Sequence, residues 1–204
     1  MPTVVYIVDD DVSFYTAARQ QLQLAGYEVQ VYSSAAQFLD QERDENRLGC
    51  VLVDASISGP TLQARLHEDG SVLPVVFVSV LVDTNIVVQT IKAGAEDFLA
   101  KPVTYDILLA AIERAVARHD ALMQLRNRLN TLRARIATLT PRERQVFDLV
   151  TRGKTNKLMG LELGATERTI KAHRQRVMEK MQVLTLAELV LIAERLYHST
   201  REPD

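Results

Sequence analysis

Short apolar runs that end abruptly on charge set the frame for this chain. Val4-Val5-Tyr6-Ile7-Val8 runs into Asp9-Asp10-Asp11, Val51-Leu52-Val53 runs into Asp54, and Phe98-Leu99-Ala100 runs into Lys101-Pro102. Runs without polar alternation need cover on both faces, which selects a parallel sheet lying between layers of helices. Carboxylates at the ends of such strands repel one another unless positive charge sits among them. Asp9, Asp10 and Asp54 against Lys101 leave a formal excess that one divalent cation cancels. All-oxygen donors of this kind suit Mg²⁺ and, beside it, a phosphoryl group.

The first half of the chain alternates such runs with helix-period segments. Strands are expected near 3–8, 28–32, 50–54, 75–79 and 97–100, and helices near 12–25, 34–43, 61–69, 83–93 and 104–118. Gly26, Gly49, Gly70 and Gly94 fall at turns and helix ends. Five such units make an α/β fold, a doubly wound five-stranded parallel sheet whose ligands bind beyond the carboxyl ends of the strands. Asp9, Asp10, Asp54, Ser79 and Lys101 all fall at that edge. Asp11 is read as favouring the positive end of the first helix.

Charge divides the chain. Residues 1–117 hold 7 Lys/Arg against 16 Asp/Glu, residues 118–139 hold five Arg against Asp120, and residues 140–204 hold 12 basic against 9 acidic side chains. An acidic front and a basic back imply different partners, with a polyanion the candidate for the back. The single cysteine, Cys50, is read as a buried core thiol, and a disulfide framework is excluded. No basic segment precedes the first apolar run, so no signal peptide is expected. The stretch Val72 to Val82 is broken by Pro74 and Ser79 and falls short of the ~20 residues of a membrane helix. A cytoplasmic protein with no membrane association is expected.

Beyond 118 the helical pattern continues. Leu122, Leu125, Leu129, Leu132, Ile136 and Leu139 form an a/d seam, read either as a stripe packing on the chain's own domains or as a short parallel coiled coil between two protomers. Thr140-Pro141-Arg142-Glu143 is a helix start, and Thr155 and Thr166 can cap the next two helices. Between these, Gly160, Gly164 and Ile170 follow the logic of a helix-turn-helix: a close crossing, a turn and an apolar lock. A last apolar helix is expected near 186–197. The resulting division is a domain over 1–117, a helical linker over 118–139 and a small all-α helix-turn-helix domain over 140–204.

With these motifs in place the chain resembles two-component response regulators of the NarL/FixJ type, a flavodoxin-like receiver domain followed by a LuxR-type helix-turn-helix. The receiver motifs are Val8-Asp9-Asp10-Asp11, Val53-Asp54, Val78-Ser79 and Lys101-Pro102. The output motif runs from Leu139-Thr140-Pro141-Arg142-Glu143 to Glu167-Arg168-Thr169-Ile170-Lys171-Ala172-His173-Arg174. The resemblance implies a DNA-binding transcriptional regulator, not an enzyme, in which Asp54 accepts a phosphoryl group from a sensor histidine kinase. It implies Mg²⁺ held by Asp9, Asp10, the Asp54 carboxylate and the main-chain carbonyl of Ser56. Lys101 and Ser79 would contact the phosphoryl oxygens, and Ser79 and Phe98 would act as the switch. Val88 and Lys92 match positions of receiver dimerisation, while Leu125, Leu132, Leu186 and Leu189 would add dimer contacts.

In the output half, Lys171, Ala172 and Gln175 are matched to base readers, and Asn156, Lys157, Thr169 and Arg174 to phosphate contacts. His173 is read as structural. The implied partners are a pseudo-palindromic DNA operator, a second copy of the chain when active, the kinase and RNA polymerase. The receiver departs from its family after Asp54. The sequence Asp54-Ala55-Ser56-Ile57-Ser58-Gly59-Pro60-Thr61-Leu62 lacks the usual Met-Pro pair and leaves a shorter loop, and Val80 stands where Ala or Gly is usual, crowding the approach to Asp54. An alternative follows: a regulator whose receiver-like half works by phosphorylation-independent dimerisation or protein interaction.

Overall fold

The computed structural model describes residues 2–44 and 46–199, with the side chains of 58–60 and 197–199 outside the description. Five parallel strands, β1 (Val4–Val8), β2 (Glu28–Tyr32), β3 (Gly49–Asp54), β4 (Val75–Ser79) and β5 (Asp97–Ala100), form one sheet in the order β2-β1-β3-β4-β5. The two-residue period of a strand sends alternate side chains to opposite faces. Val5, Ile7, Cys50, Leu52, Val76 and Val78 build one buried cluster, and Val4, Tyr6, Val8, Val51, Val53 and Phe77 build the other. Helices α1 (Val12–Leu24), α2 (Ala35–Leu39), α3 (Ala55–Glu68), α4 (Thr84–Lys92) and α5 (Tyr105–Ala137) follow the strands in turn.

Two helices differ from their expected limits. α2 ends at Leu39 because Arg43 folds back, its guanidinium 4.4 Å over the Phe38 ring and donating to the Phe38 carbonyl. α3 starts at Ala55, six residues early, because Asp54 itself caps it. The loop expected after the acidic strand end is therefore helix, which accounts for its missing residues.

Register assembles the strand ends. Val8 pairs with Val53, Asp54 with Val78 and Ser79 with Ala100. Asp9 and Asp54 are thus side by side at the point where the strand order reverses, and Lys101 follows the residue paired with Ser79. This crevice is where doubly wound sheets place ligands.

The chain divides into two compact units, Met1–Gln124 and Leu125–Asp204, with the continuous helix α5 contributing to each. In the first unit, Leu108, Ala111, Ile112 and Ala115 pack on the sheet. Farther along, buried His119 accepts the Gly49 N–H on Nδ1 at 3.1 Å. Gly49 has no room for a side chain, since a Cβ there would lie 2.3 Å from the Val4 carbonyl oxygen. The second unit holds α6 (Pro141–Thr151), α7 (Asn156–Leu163), α8 (Glu167–Met181) and α9 (Leu186–Ser199) around Val146, Phe147, Met159, Ile170, Val177 and Leu189. Ile136 and Leu139 pack against this core, so the end of the leucine seam serves its own unit.

A polar knot fixes the start of α6. Thr140 and Glu143 form a capping box, and Lys180 donates to Glu143 at 2.6 Å and to the Thr138 carbonyl at 2.9 Å. The Lys180 ammonium and the Thr140 N–H hold the Glu143 carboxyl down at about 2. Arg135 reaches the Met181 carbonyl at 3.2 Å, tying the last turn of α5 to the end of α8.

His119 gives the first unit a pH dependence of known sign. Burial pushes its imidazole below the ordinary 6.5. Below pH 6.5 the unfolded chain therefore takes up a proton that the folded chain resists, so the contribution to stability is full above that pH and falls as the pH drops through it. Thermal melts from about pH 7.5 to 5.5 should show this slope, and His119→Gln, an acceptor that does not titrate there, should flatten it. Equal slopes for both proteins would refute the role.

Candidate functional site

Lys101 is the centre of the strand-end cluster. It directly follows β5, its peptide bond to Pro102 is cis, and its ammonium donates to Asp9 Oδ2 at 2.7 Å and to Asp54 Oδ2 at 2.6 Å. All three groups are withdrawn from water: the Lys101 side chain is 7% exposed, and Asp9 and Asp54 are buried. The remaining carboxylate oxygens are held from the main chain. The Asp11 N–H donates to Asp9 Oδ1 at 2.8 Å, while Ser56 donates to Asp54 Oδ1 from its N–H at 2.8 Å and its hydroxyl at 2.6 Å.

These contacts set the charge states. Burial opposes ionisation of Asp54, but Lys101 and Ser56 outweigh it and hold the carboxyl below its usual range. At Asp9 burial prevails and raises the carboxyl despite Lys101 and the Asp11 N–H. Burial also works against the Lys101 charge, and the two carboxylates overcome it, keeping the ammonium protonated well above neutral pH. The cluster is a cation shared between two anions, one firmly ionised and one less so.

Two expected metal ligands stand elsewhere. Asp10 points to solvent, and among the described residues its carboxylate makes no hydrogen bond or ion pair. Like charges separate unless a cation gathers them, and Lys101 serves the two buried carboxylates only. Ser56 is also displaced in role. It lies in the first turn of α3, so its N–H faces Asp54 and its carbonyl points down the helix, away from the carboxylates. Among the described residues no three acidic, histidine or cysteine side chains converge as a metal-holding group.

Ser79 is buried at the end of β4, where its hydroxyl accepts the Leu81 N–H at 3.1 Å and keeps its own hydrogen to give. Val80, expected to crowd Asp54, is 69% exposed. Phe98 is half-buried and stacks on Phe77, ring centroids 6.2 Å apart. Asp11 caps α1 by accepting from Ser13 and Phe14. One neighbour escaped the sequence reading: the Phe14 ring, whose centroid is 4.3 Å from the Lys101 nitrogen. Its only signal was its place in the first turn of a helix capped beside the acidic strand end.

In the second unit, Gly164 closes α7 in the left-handed conformation, and an added Cβ at Gly160 would lie 2.7 Å from the Ala165 carbonyl oxygen. The close approach is therefore to the turn itself. Ile170 and Val177 bury one face of α8. Lys171, Ala172 and Gln175 lie on the exposed face, joined by Arg168 one turn earlier, a residue at the right spacing to have been read. Arg174 donates to Asn156 at 3.3 Å, bridging α8 to α7, and Thr169 joins the Thr166 cap. Lys157 is exposed on the first turn of α7, and His173 is half-buried. A groove of about 740 Å³ runs along α8, lined by the polar Asn156, Lys171, Arg174, Gln175, Glu179 and Gln182 and by the apolar Met178, Val183 and Leu184. Of the expected dimer positions, Val88, Lys92, Leu125 and Leu186 are exposed and Leu132 is half-buried. Leu189 is fully buried in its own core and offers nothing to a partner.

Residues 5–113 match the response regulator receiver domain, and residues 137–193 match the bacterial regulatory proteins of the luxR family. The chain is 37% identical over 202 residues to response regulator protein TodT of Pseudomonas putida, covering 97% of this chain and 88% of that protein. It is 34% identical over 194 residues to transcriptional regulatory protein FixJ of Bradyrhizobium diazoefficiens, covering 94% of each. The structure of response regulator StyR matches with a TM-score of 0.83 at 36% identity, over 96% of this chain and 100% of that one. An acidic strand-end cluster and a basic helix-turn-helix thus occur in one chain that aligns along nearly its whole length with such regulators, and the chain belongs to the NarL/FixJ family of two-component response regulators, a transcriptional regulator with a LuxR-type DNA-binding domain.

Proposed function

We propose that Asp54 is the phosphoryl acceptor by which a sensor histidine kinase controls DNA binding. The observation that carries this reading is the Lys101 ammonium 2.6 Å from a carboxylate kept ionised in a buried crevice. In the step, an Asp54 carboxylate oxygen forms a bond to phosphorus while the P–N bond of the donor phosphohistidine breaks, its electron pair returning to the imidazole. Lys101 keeps positive charge where the phosphoryl oxygens gather, and the Ser79 hydroxyl can turn its hydrogen toward one of them. Ser79 and Phe98 would then carry the change outward as the switch.

Carboxylate oxygens from Asp9, Asp10 and Asp54 are the hard donors that Mg²⁺ prefers, and the Asp10 carboxylate is uncommitted. Asp9 and Asp54 stand together, and with the solvent-facing Asp10 carboxylate turned in beside them they would hold the ion, which would neutralise charge on the transferring phosphoryl group. Phosphoramidate with Mg²⁺ should place one phosphoryl adduct on the wild type and none on Asp54→Asn, read by intact mass. Absence of an adduct on the wild type, where a standard receiver is labelled, would refute the reading. A second reading, control without phosphorylation, is favoured by one observation: Asp54 Oδ1 is already committed to Ser56 as a helix cap.

The output half is proposed to lay α8 in the major groove of a pseudo-palindromic operator. Lys171, Ala172 and Gln175 would read base edges, while Asn156, Lys157, Thr169 and Arg174 would contact phosphates. Lys171→Ala should cost about 1–3 kcal/mol on the operator and much less on random DNA. An equal loss on both, with a shallower salt dependence, would reassign Lys171 to a phosphate.

The working division is a receiver over 1–117, a helical linker over 118–139 and the output domain over 140–204, acting in the cytoplasm as a homodimer with RNA polymerase as a further partner. No helix among the described residues is long and apolar enough to cross a membrane. Dimer contacts are assigned to Val88 and Lys92 on α4, Leu125 and Leu132 on α5, and Leu186 on α9. Replacing Leu125 and Leu132 together with Glu should weaken self-association of the phosphorylated chain, and an unchanged sedimentation profile would remove α5 from the interface.

A further inference from the structure

We infer that Phe14 is a positioning residue for phosphoryl transfer, acting through Lys101; the inference rests on Asp54 being the acceptor. The Lys101 ammonium has three partners: Asp9 at 2.7 Å, Asp54 at 2.6 Å and the Phe14 ring, with its centroid at 4.3 Å. An ammonium carries three N–H donors, and the two carboxylates engage two of them. A ring attracts the cation through its quadrupole, yet it is a far weaker acceptor than a charged oxygen. Phe14 therefore holds the nitrogen in place and keeps water from it, while leaving one donor for an incoming phosphoryl oxygen to take. A carboxylate or carbonyl at that place would bind the ammonium harder and consume that donor.

The fold makes this contact rigid. Asp11 accepts the N–H groups of Ser13 and Phe14 at 3.0 and 3.2 Å, fixing the first turn of α1 against the end of β1. Phe14, Ala18 and Leu22 recur at four-residue steps and face the same core, with Ala18 and Leu22 buried. Phe14 is half-buried, one edge anchored among these apolar side chains and its face turned to Lys101. An apolar residue without a ring could fill the anchor, but it could not attract the cation. That difference separates positioning from packing.

The test uses the full chain as wild type, Phe14→Leu, Phe14→Tyr and Lys101→Met, with Phe14→Leu also placed in the Lys101→Met background. The rate of adduct formation on Asp54 from phosphoramidate with Mg²⁺ is followed by intact mass. The ring-current shift of the Lys101 Cε protons, followed by NMR, reports the contact without any phosphorylation. Phe14→Leu should slow adduct formation about three-fold, the size of a partly exposed cation–π contact, and erase the ring-current shift. Phe14→Tyr should keep both, and Phe14→Leu should change nothing further when Lys101 is already Met. Wild-type rates in Phe14→Leu, equal slowing in Phe14→Leu and Phe14→Tyr, or an undiminished effect in the Lys101→Met background would each overturn the role. Failure of the wild type to take up any phosphoryl group would instead sink the acceptor reading beneath it, with the ring-current shift still reporting whether the contact exists.

Discussion

The sharing of one buried ammonium between Asp9 and Asp54 is the constraint on which the receiver unit turns. Two carboxylates side by side on neighbouring strands, withdrawn from water, could not both stay charged without it, and removing the cation from such a group costs about 3–5 kcal/mol. Lys101 supplies the charge from the far side of the crevice, carried there by β5 and a register that sets Ser79 against Ala100. The rest of the site is arranged around this ion pair. Main-chain and hydroxyl donors take the outer carboxylate oxygens, Phe14 covers the nitrogen, and Asp10 is left facing water.

The same crevice explains the unusual segment after Asp54. By serving as the cap of α3, Asp54 satisfies the Ser56 N–H, which would otherwise need water, and the connecting loop becomes unnecessary. The cost falls on the Ser56 carbonyl, which helix geometry turns away from the acidic cluster. One carboxylate thus holds up a helix and stands at the centre of the proposed chemistry, and its two oxygens divide those tasks.

In the output unit the polar contacts lie at the ends of the helices and the apolar ones between them. Glu143, Lys180 and Arg135 tie the last turn of α5 and the start of α6 to the end of α8, while Ile136 and Leu139 insert into the shared core. The helix whose exposed face carries Lys171, Ala172 and Gln175 is therefore anchored by its far end to the segment that leads in from the receiver.

The alternation of Val-rich runs with helical periods specified the doubly wound sheet, because burial on both faces of a strand is written in consecutive residues. The acidic and basic strand ends were legible for the same reason, as was the helix-turn-helix, where Gly160 marks backbone that a side chain would obstruct and Gly164 a left-handed turn. Local sequence could not place Phe14 over Lys101, since the two are brought together only by strand register and a helix cap. Nor could it show that Leu189 turns inward while Leu186 faces out, or that Ser56 gives its N–H rather than its carbonyl to the site. Sequence alone determined which charges exist and which strand ends carry them. Tertiary structure decided which of those charges meet, because distance, burial and the direction of a hydrogen bond belong to the packed chain and not to any single stretch of it.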